Sequence, residues 1–292
     1  MERHPRTRWI VAAAAAVLLA SPLAACGDDD AEDAANGDTT EESTETTAGT
    51  TEEAEPESEA AQLGTELCEA FGAVDEPGGV DAVLEMLTDD VVFTDVVLGA
   101  DLTGKEQVRA YLTSDAFAGI DTNECGATVS RGDWAAGAYT LSDSETGAGG
   151  SGIAAVHVTD GLVDRQIVHY TQFEADAPTP PEDTVSEGVV FDYCAAWNDG
   201  ADVDEILSYM TDDTTLVAIE PLTGPEAIGG FLESFDFDQN DCGTEGIENG
   251  DWWALANTFT NATTGSGIEG VNVVRVEDGK VAAHYVYIDP VA

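Results

Sequence analysis

Asp95, Arg165 and His169 are the residues of this sequence whose types suit proton transfer. Asp95 stands in the β-branched and apolar run around Val91 to Val97, and the other two follow Asp160-Gly161 in a second such run. A carboxylate or imidazole held beside a reacting atom can take or give a proton. Residues two or four apart along a strand share a face, so Arg165 and His169 point the same way. The second chemical signal is cysteine. Besides Cys26 there are Cys68, Cys125, Cys194 and Cys242, with no Cys-x-x-Cys and no clustered histidine beside them. That spacing disfavours zinc, and no residue pattern implies another metal or a cofactor.

The elements that must position these residues occur twice. Gly132-Asp133-Trp134 leads to Asp160-Gly161, and Gly250-Asp251-Trp252 leads to Asp278-Gly279, with 28 positions between the starts in both copies. An internal repeat sets the frame for every other reading. Leu63, Leu67 and Phe71 mark a first helix, matched by Val190, Cys194 and Trp197. Val80, Val83, Leu84 and Leu87 give a second helical stripe, matched by Val203, Ile206, Leu207 and Met210. Helix is expected to pass to strand at Thr88-Asp89-Asp90 and Thr211-Asp212-Asp213. A third helix opens at Leu102-Thr103-Gly104-Lys105-Glu106 and at Leu222-Thr223-Gly224-Pro225-Glu226. There Thr followed by Glu reads as a capping box, and Pro225 suits a first turn. Its buried side is Val108, Tyr111 and Leu112, matched by Ile228, Phe231 and Leu232. The remainder of each copy is strand material punctuated by hairpin signals at Asn249-Gly250, Asp160-Gly161 and Asp278-Gly279.

Chemistry common to both copies would need ionisable residues at equivalent positions. The matched acids are Asp89/Asp212, Asp90/Asp213, Glu106/Glu226, Asp133/Asp251 and Asp160/Asp278, all at turns or helix ends where local hydrogen bonding accounts for them. The candidates for proton transfer are unmatched: Asp95 corresponds to Ala218, Arg165 to Ala283 and His169 to Tyr287. Counting from the Asp-Gly turns pairs His284 with Gln166, so the similar dipeptides His169-Tyr170 and His284-Tyr285 are not equivalent. The cysteines, by contrast, recur two per copy. A pair present in both copies is most simply explained by contact within each, giving bridges Cys68 to Cys125 and Cys194 to Cys242. The pairing Cys68 to Cys194 with Cys125 to Cys242 also respects the repeat.

The net charge is −50, and after Cys26 only Lys105, Arg109, Arg131, Arg165, Arg275 and Lys280 remain as strong bases. So acidic a surface repels nucleic acid and anionic headgroups, attracts cations, and favours solubility. Residues 1–25 have a basic start, an apolar run from Trp9 to Ala20 and small residues at the end, the layout of an export signal. Residues 26–60 hold almost only Asp, Glu, Thr, Ala, Gly and Ser, too polar to offset ordering entropy, and read as an extended acidic tether. Two folded domains are expected at 61–174 and 186–292, joined by a proline-rich linker at 175–185.

Two resemblances complete the reading. Leu23-Ala24-Ala25-Cys26 resembles the lipobox of bacterial lipoproteins, which implies that Cys26 is acylated, with palmitate among the chains, and anchors an extracytoplasmic protein to the cell membrane. Three helices, then a meander of long strands, with Leu-Thr-Gly-(Lys/Pro)-Glu opening the third helix and Val276-Glu277-Asp278-Gly279-Lys280-Val281 before the last strand, resemble the SnoaL-like group of the NTF2-like superfamily. That resemblance implies an α+β fold of two tandem cones, each with three helices packed in a curved antiparallel sheet around an apolar pocket. Family members include polyketide cyclases, ketosteroid isomerases and epoxide hydrolases, and many have no known reaction. Relatives move protons with Asp, Tyr, His or an Asp-Arg pair, and Asp95, Arg165 and His169 are the set that could do so here, although the relatives' complete Asp-Arg-Asp or Tyr-Asp-Asp pattern cannot be placed. The expectation is therefore a membrane-anchored protein that binds a small apolar or cationic ligand, or a protein partner, without catalysis. The alternatives are an isomerase, cyclase or hydrolase acting in the first domain, and an architectural pair packed as a pseudo-dimer.

Overall fold

The computed structural model of the chain describes residues 58–114, 117, 119–174, 184–198, 202–235, 237–242 and 246–291. Cys26, the signal and most of the tether lie outside the described residues, as do residues 175–183 of the linker.

The first copy runs α1 (Glu59–Phe71), α2 (Gly79–Glu85), β1 (Leu87–Asp95), β2 (Ala100–Thr103), α3 (Lys105–Leu112), β3 (Thr122–Arg131), β4 (Trp134–Ser142), β5 (Gly149–Thr159) and β6 (Leu162–Phe173). The second repeats the plan as α4 (Thr184–Ala195), α5 (Val203–Ser208), β7 (Met210–Val217), β8 (Pro221–Thr223), α6 (Pro225–Leu232), β9 (Gln239–Asp241), β10 (Gly246–Asn249), β11 (Trp252–Thr260), β12 (Gly267–Glu277) and β13 (Lys280–Pro290). The strand that is continuous as β3 in one copy is split into β9 and β10 in the other, and both pieces pair with β11.

Helical stripes become core as their spacing requires. Ser58 caps α1 by accepting from the Ala61 amide, and Leu67, Val83, Leu84, Val108 and Leu112 are buried against the sheet. Asp160-Gly161 and Asp278-Gly279 turn their hairpins with positive φ at both residues, the backbone that two-residue hairpins need. The expected capping box does not form. Both third helices start from a glycine with φ of +81°, Gly104 or Gly224, and no side chain caps either. The Gly104 amide is instead fixed by the carbonyl of Val91, and Gln107 rather than Glu106 reaches back to the Thr103 amide. Pro225 does open the first turn of α6. The Thr-Asp-Asp stretches are also not helix ends. Strand begins before them, and they form a bulge: the register advances from Leu87/Val163 to Val92/Arg165, and from Met210/Val281 to Thr215/Ala283.

The expectation of a curved antiparallel cone is corrected by the strand order. The first sheet runs β2-β1-β6-β5-β4-β3 from edge to edge without closing on itself, and β1 pairs with β6 in parallel. The second sheet has the same mixed character, with β7 parallel to β13. The reason lies in the crossover. From β3 to β6 three hairpins reverse the chain three times, and the α3 connection makes β2 and β3 run the same way, so the last strand returns alongside the first in the same direction.

The two sheets meet through their helix-free faces. Trp134, Ala136, Ala138, Ile153, Ala155 and Ile167 bury against Trp252, Ala254, Ala256, Val271 and Val273. The alanines permit close approach, and Trp134 stacks on Tyr287 at 5.3 Å between centroids.

Candidate functional site

Strand alternation divides the first sheet into two surfaces with different work. In β6 the even positions Gln166, Val168, Tyr170 and Gln172 face the helices, while Ile167 and His169 face the second copy. β4 divides in the opposite parity, with Ala135, Gly137 and Leu141 toward the helices. Between this face and α1 lies a cavity of about 330 Å³, walled by Phe93 of β1 and, on the helix side, by Phe71, Tyr111 and Phe117. Its size is at the low end for small-molecule sites.

One carboxylate stands in this apolar space. Asp95 is 2 % exposed. Its Oδ2 accepts from the Tyr111 hydroxyl at 2.6 Å and from the Tyr170 hydroxyl at 3.2 Å. Its Oδ1 accepts from the Leu98 amide at 2.8 Å. Burial, reinforced by the Asp95 charge, pushes both phenols well above the ordinary tyrosine range, so they stay protonated and act as donors. Tyr139, also on the cavity wall, is raised by burial first and by Tyr170 and Asp95 second. The Tyr170 ring lies where it does because residue 150 is glycine: a Cβ there would stand 2.7 Å from the ring.

The second copy shows what keeps the cavity open. Gly64, Ala135, Gly137, Leu141 and Gly150 line it, and, with the bridged Cys68 set on Cys194 in the first helix rather than stripe on stripe, the corresponding residues are Val190, Trp253, Leu255, Phe259 and Ile268. Those larger side chains join the second core, where the rings of Trp197, Phe235 and Phe259 meet at 5.3 to 5.8 Å. The polar cluster goes with the space: Asp95, Tyr111 and Tyr170 correspond to Ala218, Phe231 and Ile288. Gln166 corresponds to His284, whose Nδ1 shares a hydrogen bond of 2.8 Å with Tyr193.

The model of the SnoaL-like domain family matches residues 66–166 and again residues 190–284, together more than half of the chain. The chain belongs to the SnoaL-like domain family. Among solved structures it is similar to a SnoaL-like protein of unknown function from Burkholderia thailandensis. The two are 26 % identical, over 39 % of this chain and 95 % of that one, with a TM-score of 0.32. An NTF2-like protein of unknown function from Burkholderia xenovorans is 16 % identical over 42 % of this chain and 88 % of that one, with a TM-score of 0.33. The comparison with curated proteins gives no match.

Of the residues singled out in the sequence, the first SnoaL-like domain places Asp95 in the cavity and separates it from the other two. Asp95 pairs in register with Val168, so it shares a face with the even residues of β6 and not with His169. His169 is fully buried between the domains, its Nε2 sharing a hydrogen bond of 2.7 Å with the Tyr287 hydroxyl and its ring beside Tyr285 and Trp252. Burial lowers its pKa to about 3. Arg165 is exposed at the rim of the same face, its guanidinium 5.7 Å from the centre of the Trp134 ring. The four cysteines form the bridges Cys68–Cys125 and Cys194–Cys242. Cys68 and Cys125 lie in the cavity wall, so the first bridge ties α1 to β3 at the site itself. Tyr111 and Tyr170 were not singled out by residue type. Their signal was present all the same, because each is an aromatic hydroxyl where the other SnoaL-like domain has a hydrocarbon side chain. Among the described residues, no group of three or more His, Cys, Asp or Glu side chains comes together as a metal centre requires.

Proposed function

We propose that the chain is a lipid-anchored extracytoplasmic protein whose first SnoaL-like domain binds a small apolar or cationic molecule without transforming it. The second domain serves as its structural partner. The observation that carries the reading is a joint replacement in the second domain: the small residues that line the cavity give way to larger ones that join the core, and the Asp95, Tyr111 and Tyr170 cluster gives way to hydrocarbon side chains, which marks space and polar groups as one unit. Both Asp95 oxygens are already engaged by protein donors, and Arg165 and His169 face away, so the proton-transfer set is not assembled around the cavity. Gly137→Leu installs the residue that the second domain carries as Leu255. Small amines and apolar molecules that shift the ring resonances of Phe93 and Tyr111 are expected to lose that effect in this variant. Shifts that persist unchanged would overturn the reading.

Catalysis of isomerase, cyclase or hydrolase type in the same cavity is the second reading, favoured by the two phenols held as donors on one buried carboxylate. It predicts a turnover that Asp95→Asn lowers by about 100- to 10,000-fold.

Anchoring rests on Leu23 to Cys26 and on the acidic stretch that follows. Cys26→Ser is expected to move the protein from the detergent phase to the aqueous phase and to remove the acyl mass from the mature N-terminus. An unchanged partition and mass would refute the anchor.

A further inference from the structure

We propose that the molecule bound by the first SnoaL-like domain is a protonated primary or secondary amine on a compact apolar body. This rests on the reading of the cavity as a ligand site. Asp95 brings a carboxylate, and three of its roughly four lone-pair sites are taken by Tyr111, Tyr170 and Leu98. Gln166, only 4 % exposed and two residue-pairs along the sheet from Asp95 on the same face, carries a buried Oε1 that receives no hydrogen bond within the protein. Asn123, whose amide nitrogen donates to the Cys68 carbonyl, leaves its Oδ1 equally without a donor. All three residues line the cavity, and among the described residues no Lys, Arg or His does.

A buried acceptor without a donor is costly, and a buried carboxylate without a cation more so. The cavity therefore has a surplus of acceptors and of negative charge. A neutral hydrocarbon would leave that surplus unmet, and an anion would aggravate it. An ammonium supplies both the N–H donors and the charge, while Phe71, Phe93 and Phe117 give the wall the aromatic, apolar area that suits its body. The field of a surface with net charge −50 draws cations toward the mouth.

Three probes of one shape separate the contributions when titrated calorimetrically into the full chain: benzylammonium, benzyltrimethylammonium and ethylbenzene. Benzylammonium is expected to bind about tenfold or more tightly than the other two, the effect of hydrogen bonds to a charged group. Asp95→Asn should remove that advantage, and Gln166→Leu should reduce it. Equal or tighter binding of ethylbenzene overturns the amine while leaving the cavity reading in place. Equal binding of benzyltrimethylammonium overturns the role of the N–H donors. If none of the three perturbs the rings of Phe93 and Tyr111, the cavity reading itself falls. The three wild-type titrations decide the matter even if a variant fails to fold.

Discussion

Replacing Cys68 and Cys125 together by alanine is expected to lower the unfolding free energy by about 4 kcal/mol, and replacing Cys194 with Cys242 by about the same. The bridges span 57 and 48 residues of chain, and closing loops of that length removes a similar entropy from each unfolded ensemble. The functional consequences should differ. Cys68 and Cys125 belong to the cavity wall, so the first double variant should also weaken ligand binding, because α1 is then free to move against β3. The second double variant loosens a filled core and should leave affinity unchanged wherever the chain stays folded. Urea unfolding of both variants beside the wild type measures the first claim, and ligand titration the second. A loss under about 1 kcal/mol for either pair would show that the chain-entropy account fails here.

Acidification is expected to destabilise the chain steeply through two histidines. Burial holds His169 and His284 near a pKa of about 3, against an ordinary value of 6.5. Between those values the unfolded chain binds a proton at each position that the folded chain does not, so stability is full above pH 6.5 and falls as pH drops toward 3. The slope is about 1.4 kcal/mol per pH unit for each histidine, or about 5 kcal/mol for the pair by pH 4.5. The 59 acidic residues titrate over part of this range and oppose the trend by relieving repulsion, so the test is a difference. His169→Gln should lose about 3 kcal/mol less than wild type between pH 7 and pH 4.5, since the acids are common to both chains. Identical pH profiles would mean that His169 is protonated in the folded state.

These residues also show where sequence reading stops. Leu67, Val83, Leu84 and Val108 announced their burial by helical spacing, because that period is a local property of one segment. The cysteine pairing was legible because the repeat supplied a second copy to compare. The parallel pairing of β1 with β6 was not, since nothing within either strand records which distant segment lies beside it. The same gap left the face of His169 relative to Asp95 open. Whether it shares a face with Asp95 depends on one residue of register across a parallel pair, and a slip of one reverses every side chain. The cavity itself is legible in the differences between copies, in Gly137 against Leu255 and Tyr170 against Ile288.

Two identical subunits write both of their sites with one stretch of gene, and each substitution arrives in both at once. Any change that fills one cavity to gain stability empties the partner of its function in the same generation. Here the copies are successive stretches of a single chain, and that tie is cut. Trp253 and Phe259 could thicken one core while Ala135 and Leu141 kept the other hollow. The alanine-lined contact between the sheets had only to be preserved, not its symmetry. The duplication thus gave selection two independent variables where an assembly of equals has one.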